Sequence, residues 1–232
     1  MKLSVVGLGP GDPELVTVKA KKVIENSQLI FVPSMKSDLS SRAYHTALPY
    51  ISKSVSIVPL YFPYFSNPRF SEIIQSNIDS MMTKLKLYDQ AAFLIIGDPF
   101  LYSSYFQLHQ FLQEQYPEIK IDIIPGLSAY QLALSRLQIP AVGNNQTLSV
   151  ITGDVNHEKI SSVLGLSDTV VIYKINQIAN LAHFESQTRE FSVRKICCEI
   201  GTDQETIRDL NHKTALDHYG YFSSIILKKT NL

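Results

Sequence analysis

The chain is short of cysteine, of net charge and of long apolar runs, and each shortage removes a class of protein. Cys197 and Cys198 are its only cysteines. As neighbours in an apolar stretch they point to opposite faces of a strand and are not easily bridged, so both read as plain thiols. With no other cysteine and scattered histidines, nothing supports a structural zinc site or another metal centre. Twenty-one basic side chains balance 21 acidic ones, for a formal net charge of zero. That balance gives none of the electrostatic footprint expected for nucleic acid or an anionic membrane. No apolar run approaches the roughly 18 residues of a membrane span, and the N-terminus lacks the apolar core and small-residue cleavage site of a signal peptide. The expectation is a cytoplasmic protein. Internal repeats and low-complexity tracts are also missing. What is present is an ordinary globular composition of 232 residues, 45% hydrophobic and 18% charged, enough for one large domain or two small ones.

The most informative stretch is the turn Gly7-Leu8-Gly9-Pro10-Gly11-Asp12-Pro13. An apolar run (Leu3, Val5, Val6) leads into it, and a helical pattern (Leu15, Val16, Ala20, Val23, Ile24) leads out of it toward Leu29–Val32. This reads as strand, tight loop, helix, strand. Glycine-rich loops at the carboxyl end of a first strand are where open α/β sheets place ligands. A dinucleotide fingerprint needs a third glycine opening the helix and an acidic residue about 20 positions on; Asp12-Pro13 opens this helix, and the next strand ends Phe31-Val32-Pro33-Ser34. A P-loop needs Gly-Lys-Ser/Thr, which is missing. Pro10 removes a backbone N–H from the middle of the turn, weakening any nest of donors for a pyrophosphate. The loop suits a ligand without phosphates. The plainer alternative is a structural turn: Gly9 and Gly11 supplying positive φ, Asp12 a helix cap, and Pro13 the first turn.

Further along, apolar runs and helical patterns alternate. Strands are expected at Ser54–Pro59, Ala91–Ile96 and Ile119–Ile124, with helices over Ala43–Ile51, Ser71–Lys86 and Phe106–Leu112. Tyr61–Phe70 is aromatic and proline-punctuated, a lid or subunit contact if exposed and an ordinary packed loop otherwise. Pro125-Gly126-Leu127-Ser128-Ala129 breaks the pattern and launches a helix through Leu137. The second half reads as strands at Leu148–Thr152, Thr169–Tyr173, Arg194–Ile200 and Phe222–Leu227, with helices near Glu158–Leu164 and Ile178–Phe184. Alternation implies crossovers and therefore a mostly parallel five-stranded sheet in a first α/β domain, 1–124. The strand at Phe222 follows a turn and should pair antiparallel, giving a mixed sheet in a second α/β domain, 125–232.

Four loops then stand at strand ends: Gly7–Pro13, Gly97–Ser104, Pro125–Ala129 and the segment after Tyr173. Asp98 joins Asp12 as a carboxylate of the first three. It is either an ordinary Asp-Pro turn or a group for a cationic or hydroxyl-bearing ligand. Lys36, Asp38 and Arg42 follow the second strand, whose end faces the same side as the glycine turn.

Taken in order and spacing, Gly7-Leu8-Gly9-Pro10-Gly11-Asp12-Pro13-Glu14-Leu15 with Thr17-Val18-Lys19-Ala20, Gly97-Asp98-Pro99 with Tyr102-Ser103, and Pro125-Gly126-Leu127-Ser128-Ala129 resemble the tetrapyrrole methylases over nearly the whole chain. Within that superfamily, Phe31-Val32-Pro33, the Gly97–Ser104 loop and Glu199-Ile200-Gly201-Thr202 are most similar to the precorrin-2 C20-methyltransferases of cobalamin biosynthesis. The resemblance implies a two-domain homodimer with S-adenosylmethionine in the interdomain cleft and the tetrapyrrole in the trough alongside. It places the cofactor against Pro10, Ile96, Gly97, Asp98, Leu101, Ser128, Ala129, Tyr173 and Lys174. Lys174 departs from the apolar residue of several relatives, so its contact is expected through backbone. Gly9, Gly11, Pro33 and Tyr102 are expected to face the ring, with Lys36, Arg42 and Arg69 either on its carboxylates through charge-assisted bonds or simply solvated at the surface. In the related enzymes that methylate uroporphyrinogen, an aspartate sits near the end of the second strand where this chain has Pro33. No general base declares itself; His45, His109 and Tyr102 are candidates by position alone. The alternatives are another methylase of this fold, acting in diphthine synthesis or on RNA, and a non-catalytic S-adenosylmethionine-binding protein. Balanced charge argues against RNA.

Overall fold

The computed structural model describes residues 1–36, 38–63, 67–178, 181–211 and 219–229, with backbone alone for 181–183. The chain divides into two compact units, Met1–Ser128 and Ala129–Leu232, a few residues beyond the boundary expected at 124.

In the first unit the strands are β1 (Lys2–Gly7), β2 (Leu29–Ser34), β3 (Ser56–Tyr61), β4 (Ala91–Ile95) and β5 (Lys120–Ile124), ordered β3-β2-β4-β1-β5. Every pair is parallel. Alternate residues of each strand feed two cores, as period-2 geometry requires. Val6, Leu8, Ile30, Val32, Ala92, Leu94 and Ile124 face the helices α1 (Val18–Glu25) and α2 (Arg42–Ala47). Leu3, Val5, Leu29, Phe31, Phe93 and Ile95 face α3 (Phe70–Leu85) and α4 (Tyr105–Gln115). The first two crossovers thus step one way across one face, and the last two step back across the other. β1 and β4 lie where the direction reverses, and open α/β sheets bind ligands at that position.

Local chemistry accounts for the departures from the expected elements. The helix after the glycine turn does not begin at Leu15. Asp12 Oδ1 accepts from Glu14 N at 2.9 Å and closes a single 3₁₀ turn, Pro13–Leu15, after which Val16 is extended. Thr17 Oγ1 then accepts from Ala20 N at 3.2 Å and caps α1. Of the aromatic stretch after β3, Phe62 and Phe70 are buried in the unit's own core, and Phe62 sits edge-on to Phe93. Residues 64–66, the middle of the proposed lid or contact, lie outside the described residues.

The second unit holds β6 (Leu148–Thr152), β7 (Thr169–Tyr173), β8 (Val193–Cys198), β9 (Thr206–Asp209) and β10 (Ser223–Lys228), ordered β6-β7-β10-β8-β9, with helices α5 (Ala129–Leu137), α6 (His157–Leu166) and α7 (Leu181–Gln187). β6 and β7 are parallel, while β10 runs antiparallel to both β7 and β8, as the turn before Phe222 implied. β9, a short edge strand with mostly exposed side chains, lacks the apolar alternation that would announce it. Part of the helix expected over Ile178–Phe184 lies outside the described residues. Burial pushes the Cys197 thiol up to about 12 and raises Cys198 as well, which suits inert thiols.

Tyr105 is the largest fully buried side chain of the first unit, and its Oη lies 3.0 Å from His109 Nδ1 one turn along α4. Burial lowers the His109 pKa from its ordinary value. A lowered histidine pKa means that the unfolded chain takes up the proton first, so stability should decline as pH falls below about 6.5. Asp38 and Asp168, held below the usual carboxylate range by hydrogen bonds, stay ionised through that window. Urea melts at about pH 7.5 and about pH 5.5 should show the loss, and His109→Gln should reduce it. An undiminished loss in the variant would assign the effect elsewhere.

Candidate functional site

The carboxyl ends of β1, β4 and β5 are joined by backbone. Leu8 N donates to Ile95 O at 2.9 Å, the last step of the β1–β4 ladder. Gly9 and Gly97 then exchange both bonds, Gly97 N to Gly9 O at 2.7 Å and Gly9 N to Gly97 O at 3.4 Å. The chain can pair this way because both residues adopt left-handed backbone, at φ 76° and 74°. Gly7 and Gly126 are glycine for a different reason. A Cβ on Gly126 would lie 2.3 Å from Gly97 O and 2.7 Å from the Gly7 carbonyl carbon, and one on Gly7 would lie 2.5 Å from Gly126 N. Three backbones approach where no side chain fits.

Asp98 locks this arrangement. Its Oδ1 accepts from Phe100 N at 2.9 Å and closes its own turn, while Oδ2 accepts from Gly126 N at 3.2 Å and holds the loop after β5. Both oxygens are engaged within the protein. The Asp-Pro turn is present and the carboxylate also ties the loop after β5, while each oxygen keeps an accepting site for a further donor. Pro99 is buried beside Gly7, and its carbonyl accepts from Ser103 Oγ. By contrast, a Cβ on Gly97 would meet no atom within 4 Å. The backbone at the switch point therefore borders open space.

Of the residues singled out in the sequence, Gly9, Pro10, Ile96, Gly97 and Asp98 come together here, with Leu101 one turn further on, its N–H donating to Asp98 O at 3.3 Å. Pro10 is buried, and Gly11 is half-buried. Ser128 is buried at the end of the first unit. Tyr102 is 43% exposed and left-handed, at φ 52°, an unusual conformation for a bulky residue. Pro33 lies near the end of β2, where β3 still pairs through Ser34 while β4 has parted after Phe31. A residue without an N–H is tolerated where the ladder has ended on one side. Beyond it Lys36 is exposed and Arg42 opens α2. Asp38 organises this loop, accepting from Ser34 Oγ at 3.0 Å, from Ser40 N at 3.0 Å and from Ser40 Oγ. Of the base candidates, His109 is engaged by Tyr105 and packs edge-on to Phe100, and His45 packs edge-on to Tyr44.

In the second unit, Tyr173 ends β7 and Lys174 follows it. Tyr173 Oη accepts from Tyr130 N at 3.2 Å near the start of α5, where Ala129 lies. Lys174 is left-handed at φ 55°, its N donates to Ser223 O at 2.9 Å, and its ammonium sits 5.1 Å from the Tyr221 ring centroid. Glu199 is left-handed too, at φ 54°, its N donating to Phe222 O at 2.9 Å. Strained backbone of this kind gathers at ligand sites. Sequence reasoning missed Tyr221, the closeness of Gly7 to Gly126 and the second role of Asp98. The repeated Gly-x-Gly spacing hinted at the close approach, and the rest depends on long-range packing.

The tetrapyrrole (corrin/porphyrin) methylase family model matches residues 2–214. The chain is 30% identical over 181 residues to cobalamin biosynthesis protein CobIJ of Mycobacterium bovis, an alignment covering 74% of this chain and 35% of that protein. It therefore spans about a third of the length of that relative. It is 28% identical over 187 residues to precorrin-2 C(20)-methyltransferase of Sinorhizobium sp, covering 76% and 74% of the two chains. Among solved structures, uroporphyrin-III C-methyl transferase of Thermus thermophilus, complexed with S-adenyl homocysteine, superposes with a TM-score of 0.67 at 15% identity, covering 98% of this chain and 97% of that one.

The two kinds of glycine should respond differently to a methyl group. Gly126→Ala forces overlap with backbone atoms of Gly7, Gly9 and Gly97 and should lower stability by roughly 3 kcal/mol. Gly97→Ala places its methyl in open space and costs only the left-handed backbone, about 1–2 kcal/mol. Denaturant titration of both variants ranks them, and equal losses would contradict the packing account.

Proposed function

The chain belongs to the tetrapyrrole (corrin/porphyrin) methylases, and from that membership we propose that it is an S-adenosylmethionine-dependent C-methyltransferase acting on carbon 20 of precorrin-2 or its cobalt complex. The observation that carries the proposal is the paired Gly9–Gly97 backbone at the switch point of the first sheet, bordering open space over Gly97. Similarity to a precorrin-2 C(20)-methyltransferase supports the choice of substrate.

The residues fit such a cofactor. Pro10 leaves the glycine turn one donor short of a phosphate nest, which a phosphate-free ligand does not need. Gly97 has no side chain to fill the space above it. Pro10, Ile96, Gly97, Asp98, Leu101 and Ser128 would hold the cofactor, with Ala129, Tyr173 and Lys174 of the second unit as its further contacts. Asp98 would act through the loops it fixes. When bound, S-adenosylmethionine supplies an electrophilic methyl group on a sulfonium.

The chain's own contribution is then position. In-line attack by a ring carbon needs alignment, and a misplacement of about 1 Å costs around two orders of magnitude in rate. Gly9 and Gly11 would let the ring approach the turn closely, and Lys36 and Arg42 would take its carboxylates through charge-assisted bonds. Tyr102 would border the ring at the loop after β4. Pro33 has no carboxylate to accept from a pyrrole N–H, and its fixed φ redirects the loop that follows, so the ring seats differently from one held by an aspartate there, and a different carbon faces the methyl donor.

The proposal includes a homodimer, as the family resemblance implies, acting in the cytoplasm. Among the described residues no helix is long and apolar enough to cross a membrane.

Incubation with precorrin-2, its cobalt form and uroporphyrinogen III, each with methyl-labelled cofactor, tests the substrate. Carbon-13 NMR should place the new methyl on carbon 20, with little turnover of uroporphyrinogen III. Efficient methylation of uroporphyrinogen III would sink the assignment.

A further inference from the structure

We infer that Thr46 and Tyr50, which lie outside the loops of the proposed site, are positioning residues for the glycine turn. The turn is poorly able to hold itself. Pro10 and Pro13 lack N–H groups, and the backbone pair with β4 stops at Gly9. Two hydroxyls from the segment after β2 reach the far half. Thr46 is 3% exposed, and its Oγ1 lies 3.2 Å from Gly11 O and 3.0 Å from Arg42 O. Tyr50 Oη donates to Pro13 O at 2.9 Å, and its ring packs against the core that α1 and α2 share with the sheet. The Lys21 ammonium, 5.4 Å from the centroid of that ring, steadies it from α1.

The Thr46 hydroxyl has one proton for two carbonyls. Arg42 O is also the helical acceptor for the Thr46 N–H, four residues on, so removing the hydroxyl falls mainly on Gly11. Gly11 sits at φ 143°, reached readily by glycine alone among the standard residues. A carbonyl in so permissive a backbone loses its direction when its donor goes. The consequence is a turn that wanders without unfolding, and a proposed site whose backbone wall is no longer fixed.

The binding arm of the test rests on the proposed cofactor, and the exchange arm does not. Thr46→Val and Tyr50→Phe remove the hydroxyls while keeping shape, and Thr46→Ser restores one of them. Amide hydrogen exchange in the free protein should quicken in peptides spanning 8–16 in Thr46→Val and Tyr50→Phe, return toward the wild type in Thr46→Ser, and stay unchanged across Thr169–Tyr173. Titration calorimetry with S-adenosylhomocysteine should show each loss weakening binding by about two- to tenfold, the range one hydrogen bond spans. Kinetics should show KM for the methyl donor rising while kcat holds. Wild-type exchange across the turn in both variants overturns the inference, as does faster exchange with unaltered affinity. If the wild type binds no S-adenosylhomocysteine, the functional reading falls, and the exchange result alone decides the role of the two hydroxyls.

Discussion

Three backbone segments meet at the carboxyl edge of the first sheet at distances that exclude a β-carbon, and the features of the candidate site follow from that approach. Gly7 must be bare so that Gly126 can reach it, and Gly126 must be bare to lie against Gly97 O. Once they are that close, Asp98 can span from its own turn to the loop after β5 and accept from both. An aspartate in this role ties the two loops by accepting from a backbone N–H of each. Over Gly97 the protein presents backbone and open space, and such a surface recognises by shape and hydrogen bonding.

Direction of crossover explains why this edge matters. The chain leaves β1 along one face of the sheet and returns through β4 along the other, so the loops after these strands part to opposite sides. The second unit has its own concentration of unusual backbone, Lys174 and Glu199 just past the ends of β7 and β8, both left-handed and bonded at the start of β10, to Ser223 O and to Phe222 O immediately before it. Such conformations cost on the order of 1–3 kcal/mol each and persist only where surrounding bonds fix them. Tyr221 under the Lys174 ammonium is part of that fixing.

Much of the architecture was legible in the sequence because parallel sheets leave a periodic record. Phe93 and Leu94 face opposite cores, and the run Ala91–Ile95 is apolar because both faces are covered. Thr206–Asp209 left no such record, being a short edge strand with its side chains mostly in solvent. Of the site, Gly9, Gly97 and Asp98 stood out because turn chemistry demands those residue types at those places. Thr46 did not, since a threonine inside a six-residue helix looks like any other polar position until the turn it reaches is in view. Lys174 and Glu199 were reached through the family resemblance, and their left-handed backbone was silent, because nothing local in a lysine or glutamate announces positive φ.

The central claim is that a backbone wall fixed by Gly7, Gly97, Gly126 and Asp98 receives the methyl donor without rearranging. A crystal structure of the protein with S-adenosylhomocysteine tests it most directly. The account predicts the ligand against the backbone of residues 97–101, with the Gly9–Gly97 pair intact and Asp98 still accepting from Gly126. A ligand seated elsewhere, or an Asp98 carboxylate turned away from Gly126 to bind it, would contradict the claim.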